Sequence, residues 1–186
     1  MMAYGSIALS AQSLASKISL IITMTLMGLI LGLQPAYAYS FGAKDKLRLS
    51  NLIKKSLVLS IVVGLILSSL CYINRISLIS MFINNNEVIE LSEQMILAAI
   101  IAGPFAGVFY VCTSFLQSTA NIKYATVVSI SDKFILFIPV LYTMNYLFGM
   151  VGIAWSKSIS MVIAMIIAAV LSIRCYKKIN FLKTNN

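Results

Sequence analysis

Four stretches of this chain, 18–43, 56–74, 94–122 and 134–156, contain no Asp, Glu, Lys or Arg. A helix needs about 20 residues to cross the hydrocarbon core of a bilayer, so each stretch can hold at least one crossing. The last is interrupted around Asn145, Tyr146 and Gly149, where a turn would separate two helices. The expected architecture is an all-α, polytopic membrane bundle of about five helices, over 10–40, 54–74, 92–117, 124–144 and 150–173, in a single membrane domain of residues 1–186. The first stretch is too long to cross upright, which implies a tilt, a bend near its glycines or a part outside the bilayer.

Composition argues the same way. Hydrophobic residues make up 60% of the chain and charged residues 10%, against roughly 25% charged in soluble domains. There is no His, and the five acids (Asp45, Glu87, Glu90, Glu93 and Asp132) lie mostly in polar stretches. Little material remains for acid–base catalysis or metal binding, so neither an enzyme nor a metal or cofactor site is expected. Cys71, Cys112 and Cys175 are far apart and read as small packing residues. The net charge of +9 has no interleaved aromatic context for nucleic acid and is better explained by the preference for Lys and Arg on the cytoplasmic side.

That preference sets an orientation. Lys44, Lys46, Arg48, Lys54 and Lys55 crowd the connection between the first two spans, which places the basic loop 44–55 in the cytoplasm. Alternation then puts 75–91 outside, 118–123 inside and 145–149 outside. The tail 174–186, with Arg174, Lys177, Lys178 and Lys183, returns inside. An odd number of spans leaves the N-terminus outside. No basic n-region precedes the first apolar stretch, so no cleavable signal peptide is expected. Between the second and third spans, Ser77 to Phe82 reads as a short amphipathic helix. Asn84, Asn85 and Asn86 followed by Glu87, Glu90 and Glu93 read as a helix start.

Inside the spans, Gly28 and Gly32, and again Gly103 and Gly107, have the spacing that puts two small residues on one helix face. Helix packing and a mobile hinge are the two roles such pairs serve. Pro35, Pro104 and Pro139 each remove a backbone donor within or near the end of a span; bends along a substrate path and plain packing both fit. Gln34 and Gln117 carry amides that should face protein or water. Asp132, Lys133 and Lys157 are intramembrane charges, and Lys17 lies in the outer part of the first span. The lysines have stems long enough to reach headgroups, whereas short Asp132 should be paired or sensitive to protonation. Neighbours on a helix point about 100 degrees apart, so Asp132 and Lys133 are not expected to occupy one spot, although either could pair across helices.

The run from Gly28 to Lys44, glycine-rich, then Gln34-Pro35, then Phe41-Gly42-Ala43 and a basic loop, resembles the cytoplasmic end of the eighth helix in multidrug and toxin extrusion (MATE) transporters. Met81-Phe82 before the asparagine turn, Phe115-Leu116-Gln117, and Pro139 followed by Phe148-Gly149 and Gly152 to Trp155 are similar to later segments of that family, in its order. Ser40 stands where many members have asparagine, Ala120 where glycine is common, and Asp132-Lys133 where Arg-Gln is frequent.

The resemblance implies the C-terminal lobe of a twelve-helix transporter without that lobe's first helix. It also implies export of organic compounds, cationic or amphipathic, in exchange for sodium or protons, in the cell membrane and with an N-terminal lobe as partner. Some members of the family place coupling carboxylates on their seventh and tenth helices; here 94–117 has no acid and the resemblance begins after the seventh helix, so by this comparison a coupling carboxylate belongs to the N-terminal lobe. The candidate cavity wall is Gln34, Tyr37, Tyr110, Thr113 and Gln117. Two other readings stay open: a flippase for lipid-linked oligosaccharide or polysaccharide, which would group Lys17, Lys133 and Lys157 around one cavity, and an inactive membrane fragment.

Overall fold

The computed structural model describes the backbone of residues 5–80, 86–119 and 121–181, and side chains over most of these. Its elements are α1 (Gly5–Gly42), α2 (Lys46–Ile73), a short α3 (Arg75–Ser80), α4 (Asn86–Ser118), α5 (Ile122–Ile130), a π-helical turn (Ser131–Ile135) and α6 (Phe137–Phe181). Five helical stretches are long and apolar enough to cross a membrane: Ser10–Gly42, Lys46–Ile73, Met95–Ser118, Ile122–Gly149 and Val151–Ile179. The first holds 33 residues, about 50 Å at helical rise. It runs as one helix through Pro35 and therefore exceeds the thickness of the hydrocarbon core.

The bundle is built around α4, which packs against α1, α2 and α6. Lipid tails are as apolar as leucine, so membrane helices associate through close approach and hydrogen bonds rather than by hiding oily surface. α2 illustrates this. Ser56, Ser60, Gly64 and Ser68, spaced four apart, are its buried stripe, while Val58, Val62, Leu65 and Ile66 are exposed. A Cβ on Gly64 would sit 3.0 Å from the Pro104 Cα, and one on Gly107 2.9 Å from the Ser60 carbonyl oxygen. The Gly103 and Gly107 pair thus serves packing. The Gly28 and Gly32 pair does not: a Cβ at either position meets nothing within 4 Å, because that face of α1 turns away from the bundle.

Pro104 has no N–H for the Ile100 carbonyl, its partner four residues back. The hydroxyl of Ser68 on α2 donates to that oxygen instead, at 2.9 Å. Two serines of α6 do the same on α4: Ser158 donates to the Ala98 carbonyl at 2.5 Å and Ser172 to the Cys112 carbonyl at 3.2 Å. Pro104 therefore sits at a packed, satisfied contact, whereas Pro35 and Pro139 are exposed on the bundle's outside.

The connections differ from expectation in four places. The expected basic loop 44–55 is mostly helix: α1 joins α2 through a short turn in which Lys44 takes the left-handed conformation (φ 55°), Asp45 caps α2 by accepting from the Arg48 N–H at 2.9 Å, and Lys46, Arg48, Lys54 and Lys55 lie in the first turns of α2. The short helix begins earlier than expected, at Arg75, and of the expected Ser77 to Phe82 segment residues 81 and 82 lie outside the described residues; so do Asn84 and Asn85. α4 does start at the asparagine–acid run, at Asn86. Asn145 and Tyr146 remain helical, and the break falls on Gly149 alone (φ 57°, ψ −130°). In a straight helix residues 144 and 152 would be about 12 Å apart, yet a methyl group on Gly152 would run into the Met144 carbonyl. The chain doubles back there. Finally, α6 continues past residue 173 to Phe181, so Arg174, Lys177 and Lys178 extend a helix rather than open a tail, and 182–186 lie outside the described residues.

Candidate functional site

A cavity of about 1250 Å³ opens between α1, α4, the π-helical turn and both halves of α6. Its apolar lining includes Ile22, Met27, Phe109, Phe137 and Met161. Polar groups enter at two levels. Toward one end, Tyr110, Thr113, Ser114 and Gln117 project from α4; near the other, Gln12, Ser16 and Ser19 come from α1. Three charges face the cavity: Asp132, Lys133 and Lys157.

Of the five residues expected on a cavity wall, Tyr110, Thr113 and Gln117 line it. Gln34 lies just beyond, its amide donating to the Gln117 side-chain oxygen at 3.1 Å and its carbonyl accepting from Ser118 at 3.3 Å. It ties α1 to α4, consistent with an amide that faces protein. Tyr37 does not belong to the wall. It is fully buried, 0% exposed, in the core beside Leu49 and Cys112, because its side of α1 faces α2 and α4 rather than the cavity. Thr113 turns its hydroxyl to the Phe109 carbonyl of its own helix, presenting its methyl outward.

The charges correct two expectations. Asp132 and Lys133 pair with each other, Nζ to Oδ2 at 2.9 Å, instead of reaching other helices. The flexible lysine stem folds back over the π-helical turn, which the separation of neighbours on a regular helix does not anticipate. Asp132 is 8% exposed and Lys133 70%, so the lysine brings the counter-charge to a carboxylate that is otherwise enclosed. Lys157 does not reach for headgroups: its ammonium donates to the Ser19 hydroxyl across the cavity at 3.0 Å. Lys17 is not among the lining residues. Among its described lining residues the cavity thus holds two lysines and one carboxylate.

The sequence profile of the MatE family matches residues 1–143. The chain belongs to this family. Among curated MatE relatives, the multidrug export protein MepA of Staphylococcus saprophyticus is 29% identical over 157 residues. MepA of Staphylococcus aureus is 27% identical over 157 residues. Each of these alignments takes in 84% of this chain and 34% of the relative, so the chain spans about a third of the length of the MepA proteins it matches. Among solved structures, the MATE transporter VcmN of Vibrio cholerae in its bent form superposes with a TM-score of 0.88 at 16% identity, over 97% of this chain and 41% of that one. A crystal structure of a MATE mutant gives 0.80 at 24% identity, over 89% and 37%. At those identities the superpositions establish the fold: the five crossings are arranged as in part of a MATE transporter. A MatE chain with five such helices is a multi-pass membrane protein of a transport family.

Proposed function

We propose that this MatE chain forms part of a multidrug exporter and supplies one wall of its substrate path. The observation that carries the reading is the cavity: about 1250 Å³, large enough for a drug-sized molecule by the usual range of such sites, mostly apolar, with Tyr110, Thr113 and Gln117 along one side. Two of the MepA relatives, each about three times as long as the aligned region, carry the name multidrug export protein. Amphipathic organic compounds suit this lining, and the net positive charge of the cavity argues against a bare organic cation resting beside Lys157.

Alternation of the spans, with Lys44, Lys46, Arg48, Lys54 and Lys55 at the turn between α1 and α2 and in the first turns of α2, supports placing that end and the C-terminal residues in the cytoplasm. Coupling to sodium or protons would draw mainly on carboxylates outside this chain, since Asp132 is the single acid among the lining residues. A flippase for lipid-linked sugars would want a more cationic cavity. Lys17 does not line it and Asp132 neutralises Lys133, so efflux is the better reading.

Dye efflux from cells expressing this chain, alone and together with an N-terminal MatE lobe from the same genome, tests the proposal. Membrane insertion is checked in parallel. Efflux in either case supports it, and no efflux from a correctly inserted pair rejects it. In the active form, Asp132→Asn removes the carboxylate found among the described lining residues and leaves Lys133 without its partner. The pH profile of efflux is expected to change. An unaltered profile would make Asp132 a purely structural residue.

A further inference from the structure

Lys157 has a cationic head and no anionic partner among the described residues. Its ammonium carries three donors, of which one goes to the Ser19 hydroxyl at 3.0 Å. The one carboxylate among the described lining residues, Asp132, is already held by Lys133 at 2.9 Å. An ammonium facing a mostly apolar lining is costly unless solvated or paired. Two hydroxyls stand where a partner would bind. Ser19, 5% exposed, accepts from Lys157 and keeps its own O–H to donate. Ser160, three residues on from Lys157 and so on the same helix face, lines the cavity, is 2% exposed and has no hydrogen-bond partner for its Oγ. Ser114, 4% exposed, is a second lining hydroxyl in the same condition.

We propose that Lys157, Ser19 and Ser160 form a carboxylate-binding site, and that the ligand is a small amphipathic acid whose carboxylate sits on these three groups while its apolar body lies against Ile22, Phe109 and Met161. The charge balance selects the acid. A ligand carboxylate would bring two lysines and one carboxylate to electrical balance, whereas a ligand cation would add a third positive charge in a medium that screens poorly. Hydroxyl and ammonium donors converging from two helices suit an oxygen anion, and charge-assisted bonds of this kind are about twice as strong as neutral ones. The acid's role as cargo rests on the efflux reading, but its binding does not.

The test therefore reads binding and no transport. The full chain is placed in phosphatidylcholine nanodiscs and titrated with two fluorescent probes that share an apolar body, pyrenebutyrate and a pyrenylbutyl-trimethylammonium. The carboxylate should bind on the order of tenfold more tightly, as expected for one charge-assisted contact in a partly dry site. Lys157→Gln should abolish that preference by weakening the carboxylate probe, with the cation probe bound no more weakly than before. Lys157→Arg should retain most of it, and Ser160→Ala should weaken the carboxylate alone. Equal affinity for the two probes, or a preference that survives Lys157→Gln in a folded protein, would overturn the proposal. So would loss of pyrenebutyrate binding when phosphatidylglycerol replaces part of the phosphatidylcholine, since the site would then belong to a lipid headgroup. A protein that binds the acid but does not export dye would leave this site standing and reject only the efflux reading.

Discussion

Gly107→Leu should unseat α2 from α4 and leave little folded protein. A single Cβ at this position already lies 2.9 Å from the Ser60 carbonyl oxygen and 3.1 Å from the Ser60 Cβ. The obstructing atoms are backbone and the root of a side chain, so nothing flexible can swing aside. The same seam places Gly64 against Pro104, and Gly103 against Ser68 and Ile22. Pushing the helices apart at Gly107 would therefore stretch the Ser68 bond to the Ile100 carbonyl as well, exposing an oxygen that Pro104 cannot serve. Overpacking a tight contact costs roughly 1–3 kcal/mol, and the lost hydrogen bond adds about 1 kcal/mol. Unfolding of purified protein in detergent would measure the sum. Gly28→Leu is the control: with no atom within 4 Å of its Cβ, it should change stability by no more than about 0.5 kcal/mol. Equal losses from the two substitutions would mean that the glycine seam does not hold the bundle.

Gly149→Val is expected to do comparable damage by a different route. Gly149 holds φ 57° and ψ −130°, a conformation in which a side chain collides with its own backbone and which a β-branched residue tolerates least. Such strain costs on the order of 1–3 kcal/mol. The alternative open to the chain is to let α6 run on as a straighter helix. That would carry Lys157 away from Ser19 and open the cavity, which both halves of α6 line. Cysteines placed at 19 and 157 report on this through a bifunctional thiol reagent about as long as the lysine stem that spans the gap in the present fold, since a direct disulfide would need Cβ atoms only about 4 Å apart. Cross-linking by that reagent should be efficient in the parent chain and largely lost in Gly149→Val. Cross-linking at the parental level would show that a side chain is tolerated at the turn.

The five crossings were legible because hydrophobic length is a one-dimensional signal: uncharged runs of 19 residues or more, bracketed by lysines and acids, can be counted without knowing what each face touches. The Gly103 and Gly107 seam was visible for a related reason, since spacing alone puts two small residues on one face. Its twin at Gly28 and Gly32 carries an identical signature and packs against nothing, because the pattern describes a helix face and not the neighbour opposite it. The other side of the true seam, Ser56, Ser60, Gly64 and Ser68, was missed: serines inside an apolar run attract notice as polar exceptions, and only the four-residue period marks them as a contact surface. Tyr37 was misplaced because the rotation of α1 about its axis depends on tertiary contacts. The pairing of Asp132 with Lys133 is not what neighbours about 100 degrees apart on a helix suggest, and it depends on a flexible lysine stem whose course the sequence does not show. The resemblance to MATE transporters was informative where it rested on a long ordered series of segments, and less so for individual side chains.

The neutralisation of Asp132 by the very next residue has a consequence for movement. A buried carboxylate whose partner sits on another helix acts as a latch: separating the helices strands a charge, at a cost of several kcal/mol. Here the counter-ion travels on the same backbone. Neighbouring helices can slide or rotate past this segment with its counter-ion still attached, so the membrane-embedded carboxylate is a weaker electrostatic brake on rearrangement of the bundle than a pair split between two helices.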